Sequence, residues 1–251
     1  MKHGFSLVEL SIVLVILGLL TGGILAGQSL IRASELRSVT TDFNRYMAAT
    51  QTFRDKYFAL PGDLNNATSF WGTSPGGCPG NSTTPASDAR TCDGNSNGII
   101  NALEAYRYWQ HLANAGLIEG TYTGVSGGAV TTYTSLIGTN VPSSKLSNAA
   151  FSTWTRDSTN AGNTNEFAGE HGNLYFFGGA IADGITAGAV LRPEETWNID
   201  TKMDDGRPGY GKVLGYRIST CTNAGTPTTF DADYQLSSNA ITCSIMFRKL
   251  F

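Results

Sequence analysis

Gly4-Phe5-Ser6-Leu7-Val8-Glu9-Leu10 opens a run, from Phe5 to Gly27, in which Glu9 is the one ionisable side chain, and no other stretch of the 251 residues is comparably apolar. As a helix this run rises about 34 Å at about 1.5 Å per residue, enough for the roughly 30 Å hydrocarbon core of a bilayer. Lys2 precedes it, which places the amino terminus in the cytoplasm and the rest of the chain outside, although Arg32 and Arg37 beyond the run weaken that bias. A cleaved secretory signal fits less well. Its best small-residue site puts Ile24 and Ala26 at the critical positions, and an acid interrupts the apolar stretch.

Glu9 is the informative residue. A carboxylate near the bilayer centre costs roughly 2.5–3.5 kcal/mol or more, so it normally signals a partner. In the simpler reading it lies in the first helical turn, where the macrodipole favours an anion and the headgroups are near. The other reading needs a processed chain. Cleavage between Gly4 and Phe5 gives Phe5 an α-amino cation, which Glu9 of an adjacent subunit neutralises inside a bundle of helices, turning two costly charges into one pair.

With 17 Lys+Arg against 20 Asp+Glu and a net charge of -3, the chain has no bulk charge with which to hold nucleic acid or a membrane surface. Charged residues at 15% exclude highly charged disorder, and 30 glycines predict many loops.

Lys2-His3-Gly4 followed by Phe5-Ser6-Leu7-Val8-Glu9-Leu10 and an unbroken apolar helix resembles the leader and amino terminus of type IV prepilins and of the pseudopilins of type II secretion. The resemblance covers residues 1–63 well and the rest weakly. It implies that a membrane-bound prepilin peptidase cuts after Gly4 and that the new amino-terminal Phe5 is methylated, with Glu9 as the assembly carboxylate. The late proline of many members is absent, with Gly22, Gly23 and Gly27 in that region instead. The implied fold is α+β and pilin-like: a long amino-terminal helix packed on a loop-rich domain with a small antiparallel sheet.

Beyond Gln28, Leu36, Val39, Phe43, Met47, Phe53 and Tyr57 recur mainly at steps of three and four, which extends the helix to about Ala59. Leu60-Pro61-Gly62-Asp63 is the stop. The expected organisation is a leader (1–4), a membrane-spanning assembly helix (5–27), an amphipathic continuation (28–59) and a periplasmic or extracellular domain (60–251). Within that domain a helix is expected from Ala102 to about Ala115, with Leu103, Tyr106, Trp109 or Gln110, and Ala113 on its apolar side. Residues 120–172 support no assignment. Alternation at Leu214, Tyr216 and Ile218, and at Ile241, Cys243, Ile245 and Phe247, predicts antiparallel strands covering the long helix.

Cys78, Cys92, Cys221 and Cys243 lack metal or redox spacing. Outside the inner membrane they are expected as disulfides, with Cys78–Cys92 and Cys221–Cys243 favoured among three connectivities; four buried thiols are the alternative. Residues Asp93 to Glu104 fit a twelve-residue calcium loop. Oxygen donors fall at Asp93, Asn95, Asn97, Asn101 and Glu104, the Ile99 carbonyl supplies another, and Gly98 sits at the sharp turn. An entering helix is missing, and two carboxylates predict weak affinity, toward about 0.1–1 mM. The alternative is an Asn/Gly turn with Glu104 merely exposed.

Pro193 to Asp205 is expected as a short helix that leaves Asp204 and Asp205 at its unfavourable end, where Lys202, Arg207, backbone amides or a cation must compensate them; a structural turn is favoured over a second metal site that includes Asp200. No catalytic constellation emerges: His3, His111 and His171 lack ligand spacing, and Glu166 and Glu170 read as loop residues. Arg217, Arg248 and Lys249 read as a solvated strand face rather than a DNA site. The expected function is therefore structural, a pilus or pseudopilus subunit polymerised through its helix with other subunits and the inner-membrane assembly machinery. A minor tip subunit that binds a surface, DNA or a secreted substrate is the alternative.

Overall fold

The computed structural model describes residues 6–75, 78, 88–127, 133–156, 164–181 and 184–248. Helix α1 runs from Leu7 to Tyr57 and ends where Phe58 adopts a left-handed conformation (φ 55°). That is two residues short of the expected end, because the reversal begins before Pro61 and Gly62 rather than at them. Every Leu, Ile and Val from Leu7 to Ile31 is at least half exposed, whereas Val39, Tyr46, Ala49, Thr50 and Phe53 are buried. One helix thus carries two surfaces: an uncovered apolar half, long and apolar enough to cross a membrane, and a half with one face in a core.

That core is closed by a four-stranded antiparallel sheet of order β1-β2-β4-β3, with β1 at Ala150–Arg156, β2 at Gly172–Gly178, β3 at Val213–Tyr216 and β4 at Ser244–Phe247. Phe151 pairs with Phe177, Phe177 with Ile245, and Tyr175 and Val213 each with Phe247. Phe151, Tyr175, Phe177, Val213, Ile245 and Phe247 face α1, with Phe43 stacked on Phe247 at 4.5 Å between centroids. The opposite face, Leu174, Phe176, Leu214, Tyr216 and Met246, is covered by Ile185 and Ala187. β1 lies inside the Thr-, Ser-, Gly- and Asn-rich stretch 120–172, whose short apolar runs support no assignment, and β2, buried on both faces, lacks the apolar–polar alternation that betrays a half-exposed strand. The two later strands form, but Ile218 does not continue β3: the chain turns at Arg217 (φ 64°) into a short helix, α5, at Ile218–Cys221.

Two further helices pack on the buried half of α1. A short one, α2 at Ala67–Trp71, was not foreseen and lies against Phe53 and Tyr57; α3 spans Glu104–Asn114 and packs also against β1. Ala102 has a φ of 46°, so the α3 helix starts two residues later than expected. All its residues from Glu104 to Leu112 are buried, so a single apolar side was too narrow a reading. Its Tyr108 joins Thr50 of α1 and Tyr175 of β2 in a hydroxyl network, which satisfies three polar groups in the middle of an aromatic core.

Helix α4, Pro193–Met203, lies along α1. Arg32 donates through Nε and Nη2 to the two oxygens of Glu195, at 2.6 Å each, and through Nη2 to the Val190 carbonyl at 3.2 Å. Burial is the largest single influence and opposes the Glu195 charge, but the Arg32 hydrogen bonds, the Arg192 amide and the charges of both arginines together outweigh it and hold the carboxyl below its ordinary value. The joint sits just past the apolar half of α1, where the domain begins to grip the helix. Both disulfides form with local pairing, Cys78–Cys92 and Cys221–Cys243.

Candidate functional site

The expected processing junction, Gly4 and Phe5, lies outside the described residues. Immediately after it, Ser6 caps α1: its Oγ accepts from the Glu9 amide at 3.2 Å, and Glu9 Oε2 accepts from the Ser6 amide at 2.8 Å. This reciprocal arrangement meets two of the four amides that a helix start leaves unpaired. It realises the simpler reading of Glu9 within one chain. The Glu9 side chain is otherwise exposed.

In the loop before α3, the structure divides the expected oxygen donors. Asp93 accepts from the Thr68 amide at 2.7 Å and from Thr68 Oγ1 at 3.1 Å, so its carboxylate tethers the first turn of α2. Asn95 Oδ1 accepts from the Asn97 amide (3.0 Å) and Asn97 Oδ1 from the Ile99 amide (2.8 Å), which folds the loop on itself. Glu104, 6% exposed, accepts from the Asn95 amide at 3.2 Å. It is buried rather than exposed. Burial raises its carboxyl above the ordinary value, opposed by the Asn95 amide and reinforced by the charge of Asp63. Asp93, Asn95, Asn101 and Glu104 line one shallow cavity with Arg107.

In the sequence Asp63 reads only as part of a helix stop, but it is 3% exposed and bonds three amides of this loop. Its Oδ1 accepts from the Asn97 amide at 3.1 Å and its Oδ2 from the Gly98 amide at 2.8 Å, while its carbonyl takes the Ser96 amide at 3.0 Å. Glycines permit the approach. A Cβ on Gly94 would stand 2.4 Å from the Asp63 backbone, and one on Gly62 would stand 2.3 Å from the Glu104 carbonyl oxygen. The only sequence signal for Asp63 was its place in Pro61-Gly62-Asp63, which carries no hint of a partner 34 residues on.

Asp200, Asp204 and Asp205 bring one oxygen each within 4.8 Å of one another; α4 ends at Met203, two residues before the expected end at Asp205, and Asp204 is its C-cap. Backbone amides compensate them: Gly206 to Asp200 (3.2 Å), Lys212 and Val213 to Asp204, and Arg207 to Asp205 (2.9 Å). Asp200 also accepts from Tyr234 Oη at 2.9 Å. Burial is the main cause that pushes its carboxyl up to about 7. His111 is buried between Gly62 and Thr91, and Glu166 pairs with Arg156 at 3.2 Å. Arg248 Nε donates to the Gly211 carbonyl, and Lys249 lies outside the described residues.

Residues 1–25 match the family model described as the prokaryotic N-terminal methylation motif. Neither a curated protein nor a solved structure matches the chain. The chain therefore opens with a prepilin-type cleavage and methylation segment, carried on the uncovered end of α1, and this supports a type IV pilin-like or pseudopilin precursor.

Proposed function

We propose that the chain is a structural subunit of a type IV pilus or type II secretion pseudopilus. Prepilin peptidase cuts between Gly4 and Phe5, Phe5 is methylated, and the inner-membrane machinery polymerises the product through α1. Before assembly α1 crosses the inner membrane once with its amino terminus in the cytoplasm; afterwards the domain lies in the filament, in the periplasm or at the cell surface. The observation that carries this reading is the division of α1. Its last half has a core to enter, while the apolar side chains from Leu7 to Ile31 find no cover in their own chain. Burying each such Leu, Ile or Val is worth about 1.5–3 kcal/mol relative to water, so lipid or the helices of neighbouring subunits must cover them.

Protein isolated from its native host is expected to have lost residues 1–4 and gained one methyl group in an intact-mass measurement; an uncut chain overturns the proposal. Glu9→Gln separates the two roles of that residue. The amide oxygen can still accept from Ser6, so the helix start survives, but the charge that would meet the Phe5 amine is gone. Cells carrying it should insert and process the chain normally yet yield few filaments by electron microscopy, and a normal filament yield refutes the pairing.

A further inference from the structure

Glu104 poses a problem that the fold leaves unsolved. Its Oε1 takes the Asn95 amide, but Oε2 is wholly buried and has no hydrogen-bond partner. Among the described residues no Lys or Arg forms an ion pair with it. Arg107, one turn along α3, gives Nη1 to the Asp93 carbonyl at 3.1 Å instead. A carboxylate taken out of water with one oxygen unmatched is among the costliest arrangements a protein interior holds, and a cation is the partner that removes the cost.

We propose that residues 93–104 bind one calcium ion together with the turn that ends α1, and that Asp63, not Asp93, supplies the second charged ligand beside Glu104. The remaining ligands are the side-chain oxygens of Asn95, Asn97 and Asn101 and the Ile99 carbonyl. In a twelve-residue calcium loop the first position is a carboxylate that the chain wraps around. Here Asp93 holds that position in sequence, but its carboxylate is tied to the Thr68 amide and hydroxyl of α2, outside the loop. The loop closes on Asp63 instead: the amides of Asn97 and Gly98, its fifth and sixth residues, converge on the two Asp63 oxygens and leave a lone pair on each. The close passage of Gly62 over the Glu104 carbonyl brings the Asp63 turn against the first turn of α3.

The donor set is all oxygen, with two carboxylates and several neutral groups on a loop, which suits a hard cation of flexible coordination. Magnesium demands a tighter octahedron and sheds water reluctantly. The ion would fasten the end of α1 to the start of α3 and so tie the rod to its domain.

Calorimetric titration of the full-length chain in detergent, stripped by chelator and then titrated with calcium chloride, tests the assignment without reference to filament assembly. One calcium per chain is expected, accompanied by a rise of several degrees in melting temperature at saturating calcium and a much smaller rise with magnesium. Asp63→Asn and Glu104→Gln should each weaken binding by at least about tenfold, while Asp93→Asn, whatever it does to α2, should bind within about threefold of the unmutated chain. Absence of calcium binding by the unmutated chain overturns the proposal. So does a Glu104→Gln chain that binds normally, or an Asp93→Asn chain that loses binding while Asp63→Asn keeps it. Should Asp63→Asn fail to fold by circular dichroism, the contrast of Glu104→Gln with Asp93→Asn decides: loss only in the former supports Asp63, loss in both overturns it.

Discussion

His111 and Asp200 are two buried titratable side chains whose environments act on stability in opposite directions. His111 Nδ1 accepts from the Gly62 amide at 3.0 Å, so the proton of the neutral ring sits on Nε2, 3.0 Å from Thr91 Oγ1. Burial, reinforced by the Arg107 charge, lowers its pKa from 6.5 to about 3. As pH falls below 6.5 the unfolded chain takes up a proton that the folded chain refuses, so this stabilisation is complete above 6.5 and is lost on the way down to 3. Asp200 has the opposite sign. The folded chain keeps its proton up to about 7 while the unfolded chain loses it near 3.8, so stability drains as pH rises through that interval. Each slope is about 1.4 kcal/mol per pH unit at most, and between pH 4 and 6.5 they oppose each other. Denaturant unfolding of the full chain in detergent should expose both. Relative to the unmutated chain, His111→Gln should tilt the profile toward greater stability at pH 4, and Asp200→Asn toward greater stability at pH 7. Parallel profiles for all three chains would show that neither group titrates as the geometry requires.

At the scale of the element, α1 shows one helix answering to two solvents. Phe53 is fully buried, packed on Tyr57 and Trp71 with ring centroids 4.4 and 6.4 Å away. Phe53→Ala leaves a cavity that the aromatic cluster cannot close and is expected to cost about 3–5 kcal/mol of domain stability. Leu17, 51% exposed, lies in the half that its own chain never covers. Leu17→Ala should change domain stability by less than about 0.5 kcal/mol in detergent. Tryptophan fluorescence during denaturant unfolding measures both, since Trp71 and Trp109 report the packed half. A large loss from Leu17→Ala would mean that the two halves of the helix are not energetically separate.

The whole molecule is a long-range construction held at its edges by two local crosslinks. Cys221 and Cys243 are both fully buried and connect α5 to the residue before β4, closing a loop of 22 residues; Cys78–Cys92 closes one of 14. Loop-closure entropy assigns each about 3 kcal/mol. Paired replacement of Cys221 and Cys243 by Ala should therefore lower unfolding free energy by about that amount, and by more if the vacated volume stays open. An unchanged denaturation midpoint would show that the β3–β4 edge holds without its crosslink.

Whatever depends on neighbours along the chain was legible without the fold. The apolar run and Glu9 defined the amino-terminal segment, and steps of three and four located the face of α1 that meets the sheet. The placement outside the membrane pointed to disulfides, and the spacing of the cysteines favoured their local pairing. Alternation was visible in β3 and β4. Periodicity was least informative where burial was greatest: β2 is covered on both faces, and α3, though its steps of three and four located it, is buried all round from Glu104 to Leu112, so no polar face was there to be read. Tertiary structure alone decided which groups from distant segments share one space. Asp93 read as the first oxygen of the loop, yet Thr68 engages its carboxylate, and the amides of Asn97 and Gly98 close on Asp63 instead. Spacing records the order of donors along a chain, but a buried carboxylate is satisfied by whichever donors folding brings within about 3 Å of it.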